Sequence, residues 1–162
     1  MIWLRTRTVL LSTILCLTMI LCSMASAVAA ERPFGFGVIL GEPTGLSAKY
    51  LLNRENAIDL AVAWNLSGDN DFTLHADYLW HNYDLFKIKT GVMPVYFGVG
   101  ARMELRDNKD DRFGVRIPVG VSYQFAEPKF LELFGEIAPI LDLAPSTKLD
   151  LNVGIGARFY LF

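Results

Sequence analysis

The chain has 162 residues, 52% of them hydrophobic and 20% charged, proportions that exclude a charge-extended disordered chain and suit one compact domain. Its 15 basic and 17 acidic residues give a formal net charge of -2, with no basic surplus for a phosphate backbone, which argues against a nucleic-acid partner. A mean hydropathy of +0.33 with few long apolar runs requires that the apolar residues be dispersed in a regular pattern.

The N-terminus carries Arg5 and Arg7, then an apolar stretch from Thr8 to Cys22, then the small residues Ser23, Ala25, Ser26, Ala27, Ala29 and Ala30. This is the pattern of a secretory signal peptide, with cleavage expected after Ala27 or Ala29. The alternative is an uncleaved anchor helix, which the apolar length nearly permits. The expected organisation is therefore residues 1–30 as a cleaved signal and 31–162 as one domain. Cys16 and Cys22 both lie in the first segment, so the remainder can form neither disulfides nor thiolate metal sites. Leu21 before Cys22 disfavours a lipoprotein site.

From Arg32 onward the longest stretch without a charge runs from Thr90 to Ala101, about half of the roughly 20 residues a helix needs to cross a bilayer. What recurs is a period of two, broken by clusters of Asn, Asp, Gly, Pro and Ser, and this is strand patterning. Eight strands are predicted. The first, Phe34 to Leu40, sets Phe34, Phe36, Val38 and Leu40 against Gly35, Gly37 and Ile39. The second sets Leu46, Ala48, Tyr50 and Leu52 against Ser47 and Lys49. The third sets Ile58, Leu60, Val62, Trp64 and Leu66 against Asp59, Ala61, Ala63 and Asn65. The fourth sets Phe72, Leu74, Ala76, Tyr78 and Trp80 against Thr73, His75, Asp77 and His81.

Residues Leu85 to Gly91 read either as a longer turn or as the start of the fifth strand, which sets Val95, Phe97, Val99, Ala101 and Met103 against Tyr96, Gly98, Gly100, Arg102 and Glu104. Arg106 to Arg112 is a charged loop. The sixth strand, Phe113 to Phe125, alternates strictly, with Arg116, Pro118 and Ser122 on its polar face; a closed sheet has no edge for a missing donor, so a bulge is expected at Pro118. The seventh sets Leu131, Leu133 and Ile137 against Glu132, Phe134 and Glu136, with Pro139 near its end. The eighth sets Leu149, Leu151, Val153, Ile155, Ala157, Phe159 and Leu161 against Asp150, Asn152, Gly154, Gly156, Arg158 and Tyr160.

One face thus carries large aliphatic and aromatic side chains, while the other mixes glycine and alanine with charges of both signs. An eight-stranded barrel has an interior only wide enough for side chains, and in a bilayer only a helix or a closed barrel satisfies every backbone group. The expected fold is all-β, an eight-stranded antiparallel up-and-down transmembrane barrel with its apolar face toward lipid. Inside, Lys49, Arg102, Arg116 and Arg158 are expected to offset Asp59, Asp77, Glu104, Glu132 and Glu136 beside His75, because unpaired interior charges are costly. That implies a plugged barrel and no open pore. Aromatic girdles are expected at Tyr50, Trp80, Tyr123, Phe125 and Phe159 on the periplasmic side, with Phe34, and at Trp64, Phe72 and Phe113 on the outer side.

The export signal, the eight alternating strands and the run Val153-Gly154-Ile155-Gly156-Ala157-Arg158-Phe159 resemble the small outer-membrane β-barrels of Gram-negative bacteria, of the OmpA transmembrane-domain and OmpX kind. The strings Gly41 to Ser47, His75 to His81 and Pro139 to Thr147 look like an uncharacterised family of such barrels. The resemblance implies an outer-membrane location, lipid and lipopolysaccharide as surroundings, and an assembly machinery that reads a terminal aromatic. Phe159 and Phe162 are the candidates here. It implies no activity or cofactor, so a structural or surface-interaction role is expected, with any surface ligand open.

Two alternatives stand beside it. Some similar barrels modify lipid A with a His, a Ser and an acid near the lipid face, but neither His75 nor His81 begins a His-x-Ser pair. A soluble periplasmic barrel binding an apolar ligand is the other. A metal site from His75, Asp77 and His81 is disfavoured because strand spacing holds the imidazoles too far apart to share an ion. The glycine pairs inside strands lack the following helix that a phosphate cradle needs.

Overall fold

The computed structural model describes residues 33–42, 44–64, 71–107 and 110–161. The expected signal peptide, Asn65, Leu66 and Phe162 lie outside them. Nine strands follow one another: β1 (Phe34–Glu42), β2 (Gly45–Leu51), β3 (Asn56–Trp64), β4 (Phe72–Asn82), β5 (Val95–Leu105), β6 (Arg112–Arg116), β7 (Val119–Gln124), β8 (Leu131–Ala144) and β9 (Lys148–Leu161). Each pairs antiparallel with its neighbours, β4 joins β5 and β1 joins β9, so the sheet closes on itself. Strands β6 and β7 both pair with β5 and β8. They are two halves of one stave, and the barrel has eight staves. Among the described residues no helix is long and apolar enough to cross a membrane.

The period of two in the sequence is the period of the wall. Along β1 the odd positions Gly35, Gly37 and Ile39 are buried while Phe34, Phe36, Val38 and Leu40 are exposed. The same alternation holds along β3, β4, β8 and β9. The sense of the burial is inverted relative to a water-soluble domain: Ile155 is 66% exposed and Lys49 is 0% exposed.

The sixth stave departs from expectation. No bulge forms at Pro118, because Gly100 opposes Arg116 and Phe97 opposes Val119 in one uninterrupted register. The strand is broken at residues 117 and 118 for want of donors. The Gly98 N–H donates to the Pro118 carbonyl (2.8 Å) and the Ile117 N–H donates to the Pro139 carbonyl (3.0 Å), but neither proline can return the second bond of its antiparallel pair. The two prolines therefore remove one ladder bond on each side of the stave at the same level. The bulge lies instead at Phe113/Gly114, where Phe113 opposes Ala144 and Gly114 opposes Asp142, near a rim of the barrel as bulges often do.

The seventh predicted strand runs further than expected, to Ala144. Pro139 does not end it, because a residue's N–H and carbonyl point to the same neighbour in an antiparallel sheet. Pro139 points at Ile117, so the β8–β9 ladder continues unbroken from Leu131/Phe159 to Asp142/Lys148. Residues 83–91 form a longer connection, with one isolated bridge between Val92 and Gln124 before β5 starts. The start of β1 at Phe34 and the end of β9 at Leu161 share one rim with the connections 52–55, 83–94 and 125–130; the other rim is where β1, β3, β5 and β8 end.

Candidate functional site in the barrel lumen

Strand alternation aims Lys49, Asp59, His75, Asp77, Arg102, Arg116, Glu132, Glu136 and Arg158 into the barrel, where all are buried, while Glu104 is half-buried toward a rim. Like charges from adjacent staves meet directly, as where Asp59 opposes Asp77, so the cations that separate them must come from across the lumen. Arg158 does this for Asp59 (2.7 Å) and also donates to Glu132 (3.0 Å) and Ser47 (2.9 Å). Arg116 reaches Asp77 with one amino group and Glu136 with the other.

The charges fall into three storeys. Nearest the terminal rim, Glu132 accepts from Lys49 (3.3 Å), Arg158, Gln124 (3.2 Å) and Tyr160 (3.1 Å). At mid-height Arg116 bridges Asp77 and Glu136, and Tyr96 donates to Glu136 (3.0 Å). Toward the other rim Arg102 donates to Asp142 (2.8 Å) and Asp150 (3.1 Å) and lies 3.6 Å from Glu104, which Arg112 also approaches at 3.7 Å. The lower and middle storeys are joined through aromatic faces. The Lys49 ammonium sits 5.2 Å from the Tyr96 ring centre and the Arg158 guanidinium 3.7 Å from that of Phe134, both within cation–π range.

Small residues make room for this packing. A Cβ at Gly100 would run into the Asp77 carboxylate, and one at Gly156 into the Phe134 ring. The lumen is filled by Arg116, Arg158, Tyr96, Lys49, Leu79 and Ile140, each less than 2% exposed.

Asp142, Asp150, Tyr96, Tyr160, Gln124 and Ser47 belong to the network without having been among its expected members. Asp142 lies past the expected end of its strand, although Ala138, Ile140 and Asp142 continue the inward phase of Glu132 and Glu136. The tyrosines are inward on alternation alone.

The histidines are split. His81 Nδ1 lies 3.2 Å from the Glu55 carbonyl near the terminal rim, whereas His75 lies beside Asp77, with Nε2 3.9 Å from Oδ2. Asp59, His75 and Asp77 bring one ligand atom each within 4.8 Å of one another. Both carboxylates of that trio are already held by guanidiniums, which supply the positive charge a cation would otherwise bring.

Outside, aromatic side chains collect at the rims. Trp80 stacks on Phe97 (5.4 Å) and meets Tyr78 edge-on (4.8 Å), Tyr123 meets Phe125 edge-on (4.7 Å), and Phe159 stacks on Phe130 (6.1 Å). Phe34 opposes Tyr50. At the other rim Trp64 opposes Phe72 and Phe113 opposes Met103. Tyr123 and Phe125 are half-buried, unlike the rest of these, and the Tyr123 hydroxyl donates to the Thr90 carbonyl (3.1 Å) of the long connection.

No protein-family model and no curated protein matches the chain. Among solved structures, the N-terminal β-barrel domain of Pseudomonas aeruginosa OprF is similar, with a TM-score of 0.61 at 13% identity over 79% of this chain and 96% of that one. At that identity the likeness is one of fold.

Proposed function

We propose that the chain is an integral outer-membrane β-barrel with a closed lumen, whose role is structural or is exercised through its surface loops. One observation carries this reading: the wall is inverted, with aliphatic and aromatic side chains outward and a paired charge network inward. A barrel in water would expose that outward band at a large hydrophobic cost, whereas acyl chains accept it. The longer strands, of 9 to 14 residues, suit the 9–11 or so that a tilted strand needs to cross a bilayer. The two aromatic rims suit headgroup depth.

In this frame the rim at which β1 begins and β9 ends faces the periplasm, and the opposite rim faces outward. Lipid and lipopolysaccharide surround the barrel, residues 1–30 direct export, and the assembly machinery reads Phe159 or Phe162. Among the described residues the interior is lined by buried charged side chains, a lining that does not suit a greasy ligand. Both histidines point inward, away from the lipid face where a lipid-modifying reaction would occur.

The test is membrane fractionation followed by electrophoresis of unheated and boiled samples. The protein is expected with the outer membrane, migrating differently before and after boiling. Release by osmotic shock without detergent, with equal mobility in both lanes, would refute the proposal.

A further inference from the structure

The connection between β4 and β5, residues 83–94, is longer than its neighbours 52–55 and 125–130 on the same rim. It exposes Leu85 (61%), Phe86 (49%) and Ile88 (36%) and interleaves them with Lys87 and Lys89. Its first part sits by the lumen mouth, where the Arg54 guanidinium lies 5.1 Å from the Tyr83 ring centre. Its last part is fastened to the wall: Val92 and Gln124 exchange backbone bonds of 2.9 and 2.8 Å, and Thr90 accepts from the outward-facing Tyr123. The segment Thr90 to Val92, which directly follows the exposed apolar side chains, therefore joins the connection to the outward band of the barrel. Among the described residues neither lysine makes an ion pair. The opposite rim, by contrast, carries Asp107, Asp110 and Asp111 in one connection.

We propose that residues 83–94 are an interfacial anchor that recognises anionic phospholipid in the leaflet on their side, Lys87 and Lys89 pairing with headgroup phosphates while Leu85, Phe86 and Ile88 enter the acyl boundary. The alternation of cation and apolar side chain matches the two layers of a leaflet, phosphate above and chain below. Continuity with the lipid-facing band selects lipid over a protein partner as the covering surface. The two lysines are expected to favour an anionic over a neutral headgroup by on the order of tenfold.

This inference rests on the outer-membrane reading, and the experiment separates the two. In the protein carrying Cys16→Ser and Cys22→Ser, an environment-sensitive fluorophore is attached to a single cysteine at Phe86 or at Ile155 and the barrel is folded into phosphatidylcholine vesicles containing phosphatidylglycerol. The label at 155 is expected to report hydrocarbon and the label at 86 an interface. Hydrocarbon at 155 with water at 86 overturns the anchor and leaves the barrel reading standing; water at both positions sinks both. Native mass spectrometry then counts lipid retained from mixed micelles. Preferential retention of phosphatidylglycerol, falling to parity in Lys87→Gln/Lys89→Gln, is the expected result, with the heat-induced gel shift showing that the variant is folded. Parity in the unsubstituted protein, or an unchanged preference in the variant, overturns the headgroup assignment.

Discussion

Arg158 donates to Asp59, Glu132 and Ser47 and stacks on Phe134, so its loss strands the buried Asp59 carboxylate and leaves Glu132 with Lys49 as its one remaining cation. Removing one partner of a buried pair leaves an uncompensated charge and costs about 3–5 kcal/mol. Arg158→Ala is expected to lose at least that, read as the urea midpoint of the barrel folded in vesicles. Arg158→Lys should restore only part of it, because an ammonium lacks the planar fork that serves two carboxylates in fixed directions. Lys129→Ala, on the exposed 125–130 turn, should move the midpoint by less than about 0.5 kcal/mol. Gly156→Val tests the same site from the packing side: its side chain would press on the ring that supports Arg158, an overpacking worth about 1–3 kcal/mol. At this scale the sequence discloses which residues point inward, since alternation decides that. It does not disclose partners: Arg158 finds Asp59 across 99 positions of sequence, and such pairing depends on strand stagger and side-chain reach.

Stave six shows how two prolines can weaken a closed sheet without shifting it. Pro139 faces outward and its ring packs on no interior group, so Pro139→Ala supplies an N–H aimed at the Ile117 carbonyl with little lost. It is expected to stabilise the barrel by about 0.5–1.5 kcal/mol, the net worth of one hydrogen bond, measured by the same urea titration. Pro118→Ala supplies the matching N–H toward Gly98, but Pro118 is fully buried and its ring lies over that glycine, where an added Cβ would sit 3.2 Å from Pro118 Cγ. The gain there should be smaller, offset by a lost contact. Hydrogen exchange should show the amides of residues 97–99 and 116–118 better protected in the double variant. The eight staves themselves were legible because apolar and polar positions alternate without a slip. The end of β8 was not, because a proline is harmless or harmful according to which neighbour its missing donor faces, and that is a property of the pairing. The bulge at Phe113/Gly114 has no residue signature of its own.

For the molecule as a whole, the decisive quantity is the medium outside the wall, and a charge placed on that wall measures it by depth. Ile137 lies in the middle of β8, opposes both Val119 and Val153, and is 52% exposed. Leu161 ends β9 at the rim. If acyl chains surround the barrel, Ile137→Arg costs about 2–4 kcal/mol and Leu161→Arg about 0–1 kcal/mol, because the penalty falls from the bilayer midplane to the interface. If water surrounds it, both substitutions lie within about 0.5 kcal/mol of neutral and Arg raises solubility at either place. Urea titrations of the two variants in vesicles against the unsubstituted protein read the difference. A depth-dependent penalty is the expected outcome, and two small equal shifts would mean that the inverted wall faces water.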